Sequence, residues 1–175
     1  MTEHLRPSKS LLDSLGYDSS SEIVISEFNG ICNKTREHVA LKVKEWNGVV
    51  MKSFVKMVEK YGMEVAREMF SPMWEAVQNA GIHGCRNGEK FTLYQYLCQK
   101  GIASGIQDSG AFMRNPSTKN QLESRIPLSE EQFDKEFSLG ARIGVNLFIY
   151  KFSDRIEVDS DNGVLWIAKY TPKFI

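Results

Sequence analysis

Two residues in a glycine-rich turn have the types and spacing for nucleophilic chemistry. In His83-Gly84-Cys85-Arg86-Asn87-Gly88 an imidazole and a thiol stand two positions apart, with a guanidinium next in line. A cysteine attacks as its thiolate, which a neighbouring cation stabilises. Cys85 as nucleophile, His83 as base and Asp108 or Glu89 as orienting carboxylate would make a thiol-dependent enzyme. The same turn also serves as a plain connector, and on that reading no residue is catalytic. Metal ligation would draw on Cys32, His38, His83, Cys85 and Cys98. Structural zinc takes four tetrahedral ligands from closely spaced pairs. His83-x-Cys85 is tighter than that spacing, Cys32 is far upstream, and Cys98 sits on an apolar face. No metal and no cofactor is expected.

Charge offers a second chemistry. Lys52, Lys56 and Lys60 recur every four residues on one helical face, below Lys34, Arg36, Lys42 and Lys44. Such a ridge could contact phosphates and give a salt-sensitive nucleic-acid interface. The chain as a whole has net charge +0, so it carries no overall field for polyanions. The glycine pairs Gly101/Gly105 and Gly140/Gly144 lack the strand and the Gly-Lys-Ser/Thr ending of a phosphate loop. They read instead as small-sided helix surfaces that could wall a ligand pocket.

The third candidate is apolar. Between Lys34 and Ala80 lie Met51, Met57, Met63, Met69 and Met73, interleaved with Trp46, Phe54, Tyr61, Phe70 and Trp74. Thioethers beside large rings suit an irregular core or an adaptable binding surface. Trp46, Met51, Phe54, Met63, Phe70 and Trp74, with Gly101 and Gly105, are the candidate partner- or ligand-binding residues.

These groups depend on the elements that carry them. Residues 1 to 21 are polar and serine-rich and read as a flexible arm in which Leu11, Leu12 and Leu15 could dock one helical turn. Glu22 to Phe28 alternates and reads as a strand ended by Asn29-Gly30. Val39, Val43, Trp46, Val50, Phe54, Met57, Tyr61, Val65 and Met69 recur at helical spacing. Gly48, Gly62 and Ser71-Pro72 are expected to break that region into two or three helices, the last ending near Asn79-Ala80-Gly81. Phe91 to Ile106 is expected to be helical, residues 114 to 128 a long loop, and the capping box Ser129-Glu130-Glu131-Gln132 the start of a further helix. Asn162-Gly163 predicts a hairpin between Arg155–Asp159 and Val164–Tyr170.

Length and composition frame the result. A chain of 175 residues with 42% hydrophobic and 25% charged residues is expected to make one globular unit, here residues 22 to 175. Three cysteines cannot all pair, and no apolar run approaches a membrane span, which points to a reducing, cytoplasmic setting without membrane contact. The expected fold is α+β and mainly helical, with about five helices and a small antiparallel sheet. The expected function is a non-enzymatic binding or regulatory protein. It would use the Met/aromatic groove to take a protein partner or an apolar small molecule, with homodimerisation as one outcome. The alternatives are a nucleic-acid-binding regulator using the lysine ridge and the thiol enzyme at Cys85/His83.

Overall fold

The structure, a computed structural model, describes residues 5–31, 35–85, 88–110, 114, 116–124 and 152–172. The sheet is larger than the sequence suggested. Five antiparallel strands stand in the order β1-β2-β3-β5-β4: β1 Glu22–Asn29, β2 Lys90–Leu97, β3 Gly101–Gln107, β4 Arg155–Asp159 and β5 Val164–Tyr170. Among the described residues there are four α-helices: α1 Lys9–Ser14, α2 Arg36–Tyr61, α3 Met63–Asn79 and α4 Pro116–Ser124. The expectation of a mainly helical chain with a small sheet is therefore corrected.

Phe91 to Ile106 accounts for most of the difference. It forms the β2–β3 hairpin, with Thr92 opposite Gln107 and Leu97 opposite Ile102, and not a helix. The reason is burial on both sides. Phe91, Leu93 and Leu97 join the core beneath α2 and α3, while Tyr96 and Cys98 join a second cluster on the opposite face. A strand covered on both faces loses its apolar/polar alternation, and a continuous apolar run does not distinguish strand from helix. Gly101 and Gly105 consequently lie on a strand. At Gly105 a Cβ would sit 2.3 Å from the Trp166 ring, so glycine makes room for an indole across the pair.

The helices also differ from expectation. α2 runs through Gly48 without a break, because Trp46 and Val50 on either side of it are buried in the core. Gly62 does break the chain, with φ of 87°, and separates α2 from α3. Pro72 lies inside α3 and is buried. Glu68, whose carbonyl that proline leaves without its helical donor, reaches Lys169 of β5 with its side chain at 2.8 Å. The segment expected to be a loop from 114 contains α4, and the capping box with its helix lies outside the described residues, as do Cys32, Gly140 and Gly144.

Two elements match the sequence reading. The C-terminal hairpin has the expected bounds, with Gly163 at φ 68° in its turn, and β1 runs one residue beyond the expected strand. Residues of the N-terminal segment lie against the sheet, where Leu11, Leu12 and Leu15 pack with Tyr96, Ala103, Val164 and Trp166. Tyr96 Oη donates to Leu5 O at 2.7 Å, and Ser14 and Tyr170 hydroxyls meet at 2.8 Å. No described helix is long and apolar enough to cross a membrane.

Candidate functional site

The methionine and aromatic residues separate into two groups. Trp46, Met57, Met69 and Met73 are buried in the core. Trp46 shows how tightly: its ring stands edge-on to Phe91 at 5.5 Å, its Nε1 donates to Asn29 O at 3.1 Å, and a Cβ on Gly81 would fall 2.2 Å from its rim. Phe54, Phe70 and Trp74 are half-buried and packed on one another, with ring separations of 5.2 and 6.4 Å. Met51 and Met63 are exposed, as are Leu41 and Val55. The candidate binding residues thus do not converge on one groove among the described residues.

The lysine ridge is divided too. Lys56 pairs with Glu22 of β1, and Lys60 Nζ donates to Leu97 O at 2.7 Å. Beside it Tyr61 Oη lies 2.8 Å from Cys98 O and 2.9 Å from Gly101 O, a shared hydrogen bond that clamps the end of α2 to the β2–β3 turn. Burial pushes the Tyr61 hydroxyl's pKa far up, with Cys98 and Glu22 adding to it. Of the three lysines only Lys52 points outward without such an anchor. Two of the three thus brace the fold.

The glycine-rich turn is where backbone segments crowd together. α3 passes into a π-helical turn, Ala80–Gly84, closed by Cys85 N donating to Ala80 O at 2.9 Å. Such wide turns recur at functional sites. Gly81 O accepts from Ile31 N at 3.0 Å, and Gly30 N donates to Glu89 O at 2.8 Å, which bring the exit of β1 onto the same corner. A Cβ on Gly30 would lie 2.4 Å from Cys85 Cβ, so the thiol is sealed under glycine. Burial, then Asp108 and Glu89, push its pKa up to about 11. That is opposite to the depressed pKa a thiolate nucleophile needs. His83 is exposed on the turn while Cys85 is buried.

The residue that the corner is built around is Asp108, at the exit of β3. Its Oδ1 accepts from Gly110 N at 2.8 Å, and its Oδ2 lies 2.0 Å from where a Cβ on Gly84 would stand. Any side chain at Gly84 would displace the carboxylate. Gly110 in turn stacks on Gly84, whose carbonyl oxygen is 3.0 Å from the Gly110 Cβ position. Arg114 Nη1 donates to Ser109 O at 3.2 Å and Gly110 O at 3.3 Å, and its guanidinium lies 3.1 Å from the Cβ position of Gly163. Ser109 Oγ contacts Glu89 and lies 3.5 Å from Gly84 O. One turn back on α3, Asn79 Nδ2 donates to Glu75 Oε1 at 3.1 Å.

No protein-family model matches this chain, and no curated protein is significantly similar to it. The site therefore rests on its own geometry. In the sequence Asp108 stands only as an orienting partner for Cys85, and Gly84, Gly110 and Gly163 belong to three separate segments that nothing local joins to it. Among the described residues, no group of three His, Cys, Asp or Glu side chains is placed to hold a metal ion.

Proposed function

We propose that this protein is a binding or regulatory protein whose ligand sits in the Asp108 corner, and that the ligand is nucleotide-like. The observation that carries the reading is the Asp108 carboxylate, fixed by Gly110 N–H on one oxygen and backed by glycine on the other. An ionised carboxylate only accepts hydrogen bonds, so it selects a ligand edge bearing N–H donors. Arg114, at the other side of Gly110, supplies a planar fork suited to a phosphate. A heterocycle with an exocyclic amine at one end and phosphate at the other meets both demands.

Calorimetric titration with ATP and with the corresponding nucleoside, on wild type and Asp108→Asn, tests this. A hydrogen bond to a charged group contributes about 1.5–3 kcal/mol, so the substitution should weaken binding by about tenfold or more. Arg114→Gln should weaken the nucleotide and leave the nucleoside nearly unchanged. Equal affinity in wild type and Asp108→Asn, or no binding by wild type, removes the reading.

A second reading keeps the apolar partner. Leu41, Met51 and Val55 of α2 are 63%, 40% and 51% exposed and lie within one side of the helix. They form an outer helix face on which a protein partner or a second copy would dock. Sedimentation of wild type against Leu41→Glu/Val55→Glu checks the second copy: a monomer at all concentrations in both removes it.

A further inference from the structure

A cavity of about 570 Å³ opens beside the edge strand β4, between the N-terminal segment and α4. None of its lining residues belongs to the Asp108 corner. Its charged walls are Arg6, Lys119 and Arg155 against Glu123, Glu157 and Asp159.

The two signs are not equally engaged. Glu157 accepts from Ser8 Oγ at 2.8 Å and Ser8 N at 3.3 Å, and pairs with Arg155 at 2.7 Å. Glu123 Oε1 accepts from Val158 N at 3.0 Å, covering a donor of the open sheet edge. Asp159 accepts from Asn162 N at 3.1 Å and Asn162 Nδ2 at 2.8 Å. Every carboxylate thus has donors of its own. Among the cations, Arg155 is held by Glu157 and by Ser10 Oγ at 2.7 Å, whereas Arg6 and Lys119 have no hydrogen bond or ion pair among the described residues.

Trp166 adds an independent observation. It lines the same cavity, is only 1% exposed, and its Nε1 has no acceptor. A buried indole N–H ordinarily finds one. Two cations without a partner among the described residues thus line one space together with the residue that carries the unpaired donor, and all three groups want an acceptor-rich anion.

We propose that this cavity is a binding site for a small organic phosphate, a second ligand site distinct from the Asp108 corner. A phosphate monoester carries about −1.5 to −2 charge at neutral pH, which matches the two unpaired cations, and its several oxygens can accept from both and from the indole. A monocarboxylate would leave one cation unmatched. Arg6 lies in the N-terminal segment and Lys119 on α4, so the ligand would also bridge the two elements that flank β4.

The test uses phenyl phosphate at low ionic strength, followed by tryptophan fluorescence and calorimetry. Saturable binding is expected, with an affinity that falls by about tenfold in Arg6→Gln and again in Lys119→Gln, since each removes a charge-assisted contact. Arg6 is exposed and Lys119 half-buried, and thermal melts of the variants check folding. Neither Arg6 nor Lys119 touches the Asp108 corner, so their losses separate this site from the other. No saturable binding, no loss in the double variant, or equal binding of succinate each overturns the proposal.

Discussion

At the residue scale, small side chains decide where large ones can go. Gly81 is set by Trp46, Gly105 by Trp166 and Gly84 by the Asp108 carboxylate, each with a Cβ position 2.0–2.3 Å from the neighbour. Gly81→Ala should therefore destabilise by about 1–3 kcal/mol through overpacking, read as a lower urea midpoint at unchanged slope. Cys85 follows the same logic in its chemistry. A thiol sealed beneath Gly30 and facing Asp108 and Glu89 holds its proton. Peptide mapping after iodoacetamide at neutral pH should show Cys85 modified much more slowly in the native chain than in urea. Rapid native labelling would restore the thiol chemistry that the motif suggests.

At the element scale, α2 is held to the sheet near its middle and at its C-terminal end. Trp46 wedges against β1 and β2, and Lys60 with Tyr61 closes on the β2–β3 turn. Met57 lies between these anchors, fully buried, with Met73 of α3 beside it against Gln95 of β2, whose Nε2 is 3.2 Å from the Met73 sulfur. Met57→Ala should cost about 2–5 kcal/mol, the range for deleting a buried side chain that its surroundings cannot replace. Lys52→Glu should leave stability within about 0.5 kcal/mol, because its surface carries no such anchor. Thermal melts of the two variants side by side check both statements. Phe91, Tyr94 and Leu97 fall at helical spacing because both faces of the doubly covered β2 carry apolar or aromatic residues.

At the scale of the whole molecule, the sheet has a core on each face, and its second face is closed by the N-terminal segment. Leu11 and Leu15 are fully buried there, so Leu11→Ala should lower stability by about 2–5 kcal/mol despite lying in a serine-rich segment. Burial of acids on both faces also sets an alkaline limit. Burial pushes the Cys85 and Cys98 thiols up to about 11 and the Tyr96 hydroxyl to about 12. The folded chain keeps these protons at a pH where the unfolded chain, with values of 9.0 and 10.0, has lost them. Their stabilisation is whole below those unfolded values and is lost as pH rises through the folded ones. Urea midpoints should fall from about pH 9 upward, and less steeply in a Cys85→Ala/Cys98→Ala variant.

Local chemistry was enough to determine the first strand, the hairpin around Asn162-Gly163 and the break at Gly62, because each depends on backbone preferences of adjacent residues. The helical repeat through Met69 was legible for the same reason, being a period along one element. Whether Pro72 ended a helix and whether Phe91–Ile106 was strand or helix depended on what covers them, which is a property of partners distant in sequence. The Asp108 corner belongs to that second kind. Its glycines at 30, 84, 110 and 163 come from four separate connections, and only their close approach in the folded chain turns four unremarkable turns into one site.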